Sequence, residues 1–204
     1  MASRKIPGKR AKGYLQRKVN SREIRERFLI FCEGTKTEPY YFKSFRVNTE
    51  IVEVEIQGKG YNTLSLVREA LDQKAYDEYD QVWCVFDRDS FTAQDFNAAF
   101  ELANKQGIKI AYSNQAFELW YLLHFNFYDT AIQRHEYCKM LTELLGYEYK
   151  KNSKTIYDEL FDRQPRALQN AQKLYAQYRP CNPEKDNPST TVHLLVIELN
   201  KFLI

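Results

Sequence analysis

The stretch Val82-Trp83-Cys84-Val85-Phe86 is apolar at every position and runs directly into Asp87-Arg88-Asp89. A strand with one wet face alternates apolar and polar residues. A strand apolar throughout is buried on both faces, as in a parallel sheet covered by helices. Such open α/β sheets place their ligand sites at the C-terminal ends of the strands. Two carboxylates one residue apart at that position, with no nearby lysine to balance both, suit a divalent cation. A second run, Arg27-Phe28-Leu29-Ile30-Phe31-Cys32, ends in the same way, in Glu33-Gly34. Two strands that deliver acid to one sheet edge are the beginning of a metal-dependent active site.

The remaining pattern alternates strand with helix. Phe28–Cys32 reads as the first strand, and Thr37–Asn48 as a helix with Pro39 in its tolerant first turn. Ile51–Gln57 alternates apolar with polar residues, the period of a half-exposed strand. Thr63 to Tyr76 is helical, Gln81–Phe86 is the buried strand, and Thr92 to Gln106 is a helix ended by Gly107. Ile108–Tyr112 makes a fourth strand. The expectation is a parallel sheet of about four strands with right-handed crossovers. Beyond Gln115 the strand signal fades. Helices are expected over Ala116–Phe125, Arg134–Leu145, Ile156–Phe161, Pro165–Tyr178 and Thr190–Leu203, with a loop at Arg179–Pro188. The α/β core thus spans 27–125, and 126–204 is a helical region packed on it.

The net charge of +3 hides an asymmetry. Residues 1–27 hold ten Lys or Arg against two Glu, so they carry +8 and the rest of the chain −5. Residues 1–26 lack apolar periodicity and read as a flexible basic arm, suited either to a nucleic-acid backbone or to keeping the chain in solution. No apolar run reaches membrane-spanning length, and no signal-peptide pattern opens the chain. The four cysteines form no CxxC pair, and Cys32 and Cys84 fall inside core strands. Reduced thiols of a cytoplasmic protein are expected, not a zinc site.

Glu33 opens a strand-to-helix turn in which Gly34 permits close approach of a phosphate and Lys36 adds positive charge. It either binds metal or moves a proton, or it closes the turn while Glu38 complements the helix dipole. Asp87 and Asp89 either converge on one hard cation, or form a turn with Asp89 or Ser90 capping the next helix. Arg88 between them partly neutralises the pair or grips a phosphate. Glu118 sits among large apolar residues and needs a partner or a task. It is a third acidic contributor or a buried hydrogen-bonding group. His124 reads as a core histidine. Gly58-Lys59-Gly60 is a turn or a weak phosphate loop contributing Lys59, and it lacks the spacing of a nucleotide-triphosphate loop.

Four segments carry a family resemblance: Phe31-Cys32-Glu33-Gly34-Thr35-Lys36-Thr37-Glu38-Pro39-Tyr40-Tyr41-Phe42; Phe86-Asp87-Arg88-Asp89; Ser113 to Trp120 with Leu123-His124-Phe125; and Asn187-Pro188-Ser189-Thr190-Thr191-Val192. In order and spacing they resemble the RloB family of abortive-infection proteins, departing from its pattern at Gln115-Ala116. The resemblance implies a variant of the Toprim fold, with Glu33 as the proton-transferring or metal-linked glutamate and Asp87 and Asp89 as the metal pair. It also implies Mg²⁺ or Mn²⁺, a bacterial antiphage role and an AAA-type ATPase partner.

The expected activity is therefore metal-dependent hydrolysis of phosphodiesters in DNA or RNA, transfer RNA included. Glu33, Asp87, Asp89 and Glu118 are its acidic set, and Lys36, Lys59 and Arg88 its phosphate ligands. One alternative is a non-catalytic nucleic-acid-binding or regulatory subunit of the ATPase complex. The other is a phosphatase of the haloacid dehalogenase type, against which stands the position of Asp87 after two preceding strands.

Overall fold

Apolar runs become central strands because both of their faces find partners. The computed structural model describes residues 25–88 and 92–204. Most of the basic arm, and Asp89 with it, therefore lies outside the described residues. Strands β1 (Glu26–Cys32), β2 (Val52–Gly58), β3 (Gln81–Asp87) and β4 (Lys109–Asn114) pair in parallel in the order β2-β1-β3-β4. A fifth strand, β5 (Ser189–Thr190), pairs antiparallel with β4 and closes that edge.

The sheet has the four parallel strands expected; the short fifth strand is added to them and corrects the helix start expected at Thr190. It is held largely by hydroxyls. Ser113 Oγ and Thr190 Oγ1 are 3.0 Å apart, Thr190 Oγ1 donates to the Tyr112 carbonyl at 2.9 Å, and Thr191 Oγ1 donates to the Ile110 carbonyl at 3.1 Å.

Alternate side chains of β1 and β3 enter two separate cores. Phe28, Ile30, Trp83 and Val85 face one way, and Leu29, Phe31, Val82, Cys84 and Phe86 the other. The second group packs on α2 (Thr63–Tyr76) and α3 (Ala93–Lys105) through Leu66, Val67, Phe96 and Ala99. The first packs on α1 (Thr37–Lys43), α4 (Glu118–Leu122) and the C-terminal helices α5 (Tyr137–Leu145), α6 (Ile156–Leu160), α7 (Gln164–Ala176) and α8 (Val192–Asn200). A 3₁₀ turn, Phe161–Arg163, joins α6 to α7. Among the described residues no helix is long and apolar enough to cross a membrane.

The fully buried Tyr41 centres the larger core. Its ring meets those of Phe42, Phe117, Tyr121 and Tyr157 at 5.3–5.7 Å. Pairs of this kind contribute about 0.5–1.5 kcal/mol each beyond their buried area. Here they weld α1 to α4 and α6, so residues from both halves of the sequence share one interior. Helices α1 and α4 are shorter than expected. Ala116, Phe117, Leu123 and Phe125 beside α4 are apolar because they are buried, not because the helix continues.

The chain turns from β1 outward to β2 and then back past β1 to β3. The sheet therefore has its switch point between β1 and β3, where α/β folds open a crevice. The loop after β1 is pressed against the end of β2 at Gly58. A Cβ there would lie 2.8 Å from the Gly34 oxygen and from Pro39 Cγ, and 2.9 Å from Thr35 Cα. Gly58→Ala should therefore destabilise the fold by about 1–3 kcal/mol through overpacking. At about 2–4 °C per kcal/mol in a chain of this size, thermal unfolding followed by circular dichroism reads the effect directly.

Candidate functional site

At the switch point the backbone of β3 holds the side chain of Glu33. The Glu33 N–H donates to the Val85 carbonyl at 2.9 Å, continuing the β1–β3 ladder by one residue. The Glu33 carboxylate then accepts from the Asp87 N–H at 3.2 Å through one oxygen, and from Thr63 Oγ1 at 3.3 Å through the other. Thr63 is the first residue of α2. Two strands and a helix start thus fix this one carboxylate.

Three further carboxylates surround that point. Asp87, Glu38 and Glu118 are 8%, 7% and 2% exposed. Glu38 lies in the first turn of α1, over Gly34, where a Cβ would come within 2.2 Å of its Oε2. Glycine at 34 is what lets this carboxylate fold back and accept the Gly34 N–H. Burial pushes the Glu38 carboxyl above its ordinary range, and the charge of Glu118 adds to that. Burial raises Asp87 well above its ordinary range too, with Glu38, Glu118 and Glu33 each reinforcing the shift and Arg134 opposing it.

Two cations approach from the segment beyond the parallel strands. An Arg134 nitrogen lies 3.6 Å from Asp87 Oδ2, and Lys151 Nζ lies 3.2 Å from Glu118 Oε1. The Arg134 segment is tied to the end of β4 by Gln115. The Arg134 N–H donates to Gln115 Oε1 at 3.0 Å, and the Gln115 N–H donates to Tyr137 Oη at 3.4 Å. Tyr149 Oη donates to Glu118 Oε1 at 3.4 Å. Among the described residues, four carboxyl groups and two cations meet here, a set rich in hard oxygen. Stripping a carboxylate of water costs several kcal/mol, so such a group takes a proton or a cation. The donor set suits magnesium or manganese. Among the described residues, no group of three or more His, Cys, Asp or Glu is placed to hold a metal ion. A cation bound beside Glu33 and Asp87 would take Asp89, water or substrate as further ligands.

The structure therefore brings Glu33, Asp87 and Glu118 to one rim and adds Glu38, Arg134 and Lys151, which the sequence reading did not assign. Lys36 is exposed at the start of α1, in the loop that carries Glu33. Lys59 leans away from the acids. Its Nζ is 3.2 Å from Glu69 and 4.8 Å from the Phe31 ring centre. The Arg88 guanidinium lies 5.3 Å from the Phe96 ring and 3.6 Å from Glu184. The cap of α3 is Thr92, which accepts from the Asp95 N–H at 3.1 Å, so the helix needs no cap from Asp89 or Ser90. His124 is buried, with Nδ1 2.9 Å from the Trp120 carbonyl and its pKa lowered by burial to about 4. It is a neutral core residue. His193 is buried as well, and Cys32 and Cys84 are buried free thiols.

A model of the RloB-like protein family matches residues 28–199. No curated protein and no solved structure matches the chain.

The raised Glu38 carboxyl has a consequence for stability. Its proton affinity is higher folded than unfolded, so the fold is favoured at low pH and loses that contribution as pH rises through and above the ordinary value of 4.5. Glu38→Gln should thus be neutral near pH 4 and stabilising at pH 8 in EDTA. A gain of about 2–4 °C corresponds to 1 kcal/mol at this size. Differential scanning fluorimetry across that range is the check, and a loss of Tm at pH 8 counts against the raised carboxyl.

Proposed function

Taking as premise that the chain belongs to the RloB-like protein family, we propose that it is a nuclease that hydrolyses phosphodiesters with Mg²⁺ or Mn²⁺. One observation carries this: the Asp87 N–H donates to the Glu33 carboxylate at 3.2 Å, so the acid after one parallel strand rests against the backbone of the acid that ends its neighbour. Resemblance to Toprim domains, which use an equivalent Glu and Asp-x-Asp, supports the same reading. Glu33, Asp87 and Asp89 would hold the cation. When bound, it would draw charge from a phosphate oxygen and acidify water.

The chain's own residues supply the rest. Glu38, whose carboxyl is raised by burial, is suited to hold or pass a proton. Glu118 shapes the electrostatics of the same pocket. Arg134 and Lys151 offer positive charge where a phosphate would gain negative charge. Lys36 is the phosphate ligand nearest the rim, with Arg88 and Lys59 set back. The resemblance further supports a role in bacterial antiphage defence in the cytoplasm, alongside an AAA-type ATPase.

A second reading has an observation of its own. Asp87 and Glu118 each already lie beside a cation. In that case the acids only brace loops, and the protein is a non-catalytic, nucleic-acid-binding subunit of the ATPase complex.

An assay on single-stranded RNA, transfer RNA and duplex DNA separates the two. Wild-type protein is expected to cut at least one of them with Mg²⁺ or Mn²⁺ and to stop in EDTA. The double variant Asp87→Asn, Asp89→Asn should lose about 100-fold or more, the scale of a lost acid–base or metal-holding group. It should also lose the rise in Tm that Mn²⁺ gives the wild type. Undiminished cutting by the double variant would remove the assigned roles. Inactivity of the wild type both alone and with its ATPase would favour the second reading.

A further inference from the structure

Beyond residue 27 the chain carries −5, yet Lys150, Lys151 and Lys154 fall within five residues and stand exposed beside the acidic rim. The loop that bears them is anchored at several points. Tyr149 is buried, its N–H donates to Thr142 Oγ1 at 3.0 Å, and its hydroxyl donates to Glu118 at 3.4 Å. The Lys151 carbonyl accepts from Thr37 Oγ1 at 2.5 Å, which pins the loop to the first residue of α1. The Ser153 N–H donates to the Lys150 carbonyl at 3.0 Å, and α6 begins at Ile156. The backbone is thus fixed, and the lysine side chains extend from it into solvent.

Lys154 Nζ lies 5.4 Å from the Tyr40 ring centre, on the outer side of α1. Lys151 reaches inward to Glu118 with about half of its side chain exposed. Lys150 has only the exposed Glu148 at 3.5 Å, a pair of small energy in water. Three ammonium groups with weak or exchangeable partners, on a rigid loop bordering a carboxylate pocket, match a polyanion whose reacting group must enter that pocket.

We infer that residues 149–155 are the backbone clamp of the site: Lys150, Lys151 and Lys154 bind successive phosphates of a nucleic-acid strand. The inference rests on the nucleic-acid reading of the site, but not on cleavage. Lysines act here as point charges that release counterions, so the clamp contributes affinity and salt sensitivity without sequence preference. In the free protein Lys151 also balances Glu118. A strand that draws Lys151 onto a phosphate removes that balance, which couples strand binding to the acidic pocket.

The test is fluorescence anisotropy of the full chain in EDTA. The probes are labelled single-stranded RNA and duplex DNA of about 20 units, longer than one common strand-binding groove. The triple variant Lys150→Ala, Lys151→Ala, Lys154→Ala is expected to bind at least one probe tenfold or more weakly at 100 mM KCl. The slope of log K against log salt should fall by about 2 for a single strand, at about 0.7 per phosphate contact.

The charge-matched control Lys74→Ala, Lys105→Ala, Lys109→Ala alters the opposite end of the sheet, where Lys109 opens β4 and Lys105 closes α3. It should lose less than twofold. Lys150→Ala, Lys154→Ala spares the Lys151–Glu118 pair and should keep most of the loss even if the triple variant is less stable. The clamp is overturned if the loop variants bind as wild type does, if the control loses as much, or if wild type binds neither probe. Cleavage is scored separately. Loss of binding in the loop variants with no cutting by wild type upholds the clamp and removes the hydrolase. Cutting with binding unchanged in the loop variants does the reverse.

Discussion

The site depends on the parallel pairing of β1 with β3. Because these strands run side by side and in register, the residue after β1 bonds to Val85 and its carboxylate meets the N–H of Asp87. A shift of either strand by one residue would turn every core side chain to the wrong face. The two interiors that fix the fold therefore also fix the distance between two acids. The helices contribute by keeping both faces dry, so that a rim of the sheet becomes a place of low dielectric. The same arrangement raises Asp87 and Glu38 above the ordinary carboxyl range.

The segment beyond the parallel strands does more than cover one face. It supplies β5, which closes the sheet edge beside β4, and it supplies Arg134, Tyr149 and Lys151, which border the acids. The large aromatic core around Tyr41 makes these contributions rigid, since α1, α4 and α6 share it. Packing and site are thus one construction. The elements that carry Glu38 and Glu118 are held by the same rings that fill the interior.

Strands β1 and β3 were legible because apolar runs of five or six residues have few other homes, β2 because it alternates, and Glu33 and Asp87 because they end the two apolar runs. Glu118 stood out as an acid among aromatics, and burial beside Lys151 and Tyr149 explains why it is tolerated. What was not legible depends on contacts distant in sequence. Ser189–Thr190 is too short for any periodicity, and its pairing is made by hydroxyls. Glu38 reads locally as a helix-dipole residue. Only the missing side chain at Gly34 reveals that its carboxylate turns inward. Arg134 and Lys151 lie in ordinary polar stretches, and nothing nearby marks their partners. Gln115 fastens the Arg134 segment to the end of β4.

Whether the two cations are permanent members of the pocket or yield their places follows from magnitudes. A buried carboxylate costs several kcal/mol in lost hydration. Arg134 approaches Asp87 only to 3.6 Å and keeps 44% of its side chain in water. Discounted for that exposure, such a pair returns about 1 kcal/mol or less. Desolvation therefore wins, which is why the Asp87 carboxyl moves up despite an arginine at its side. On the proposed reading, a small divalent ion, with twice the charge and no side-chain entropy to lose, would satisfy the carboxylate oxygens better than either resident cation. The weakness of the Arg134–Asp87 pair follows from placing the acid on a buried strand end and the base on an exposed connecting loop.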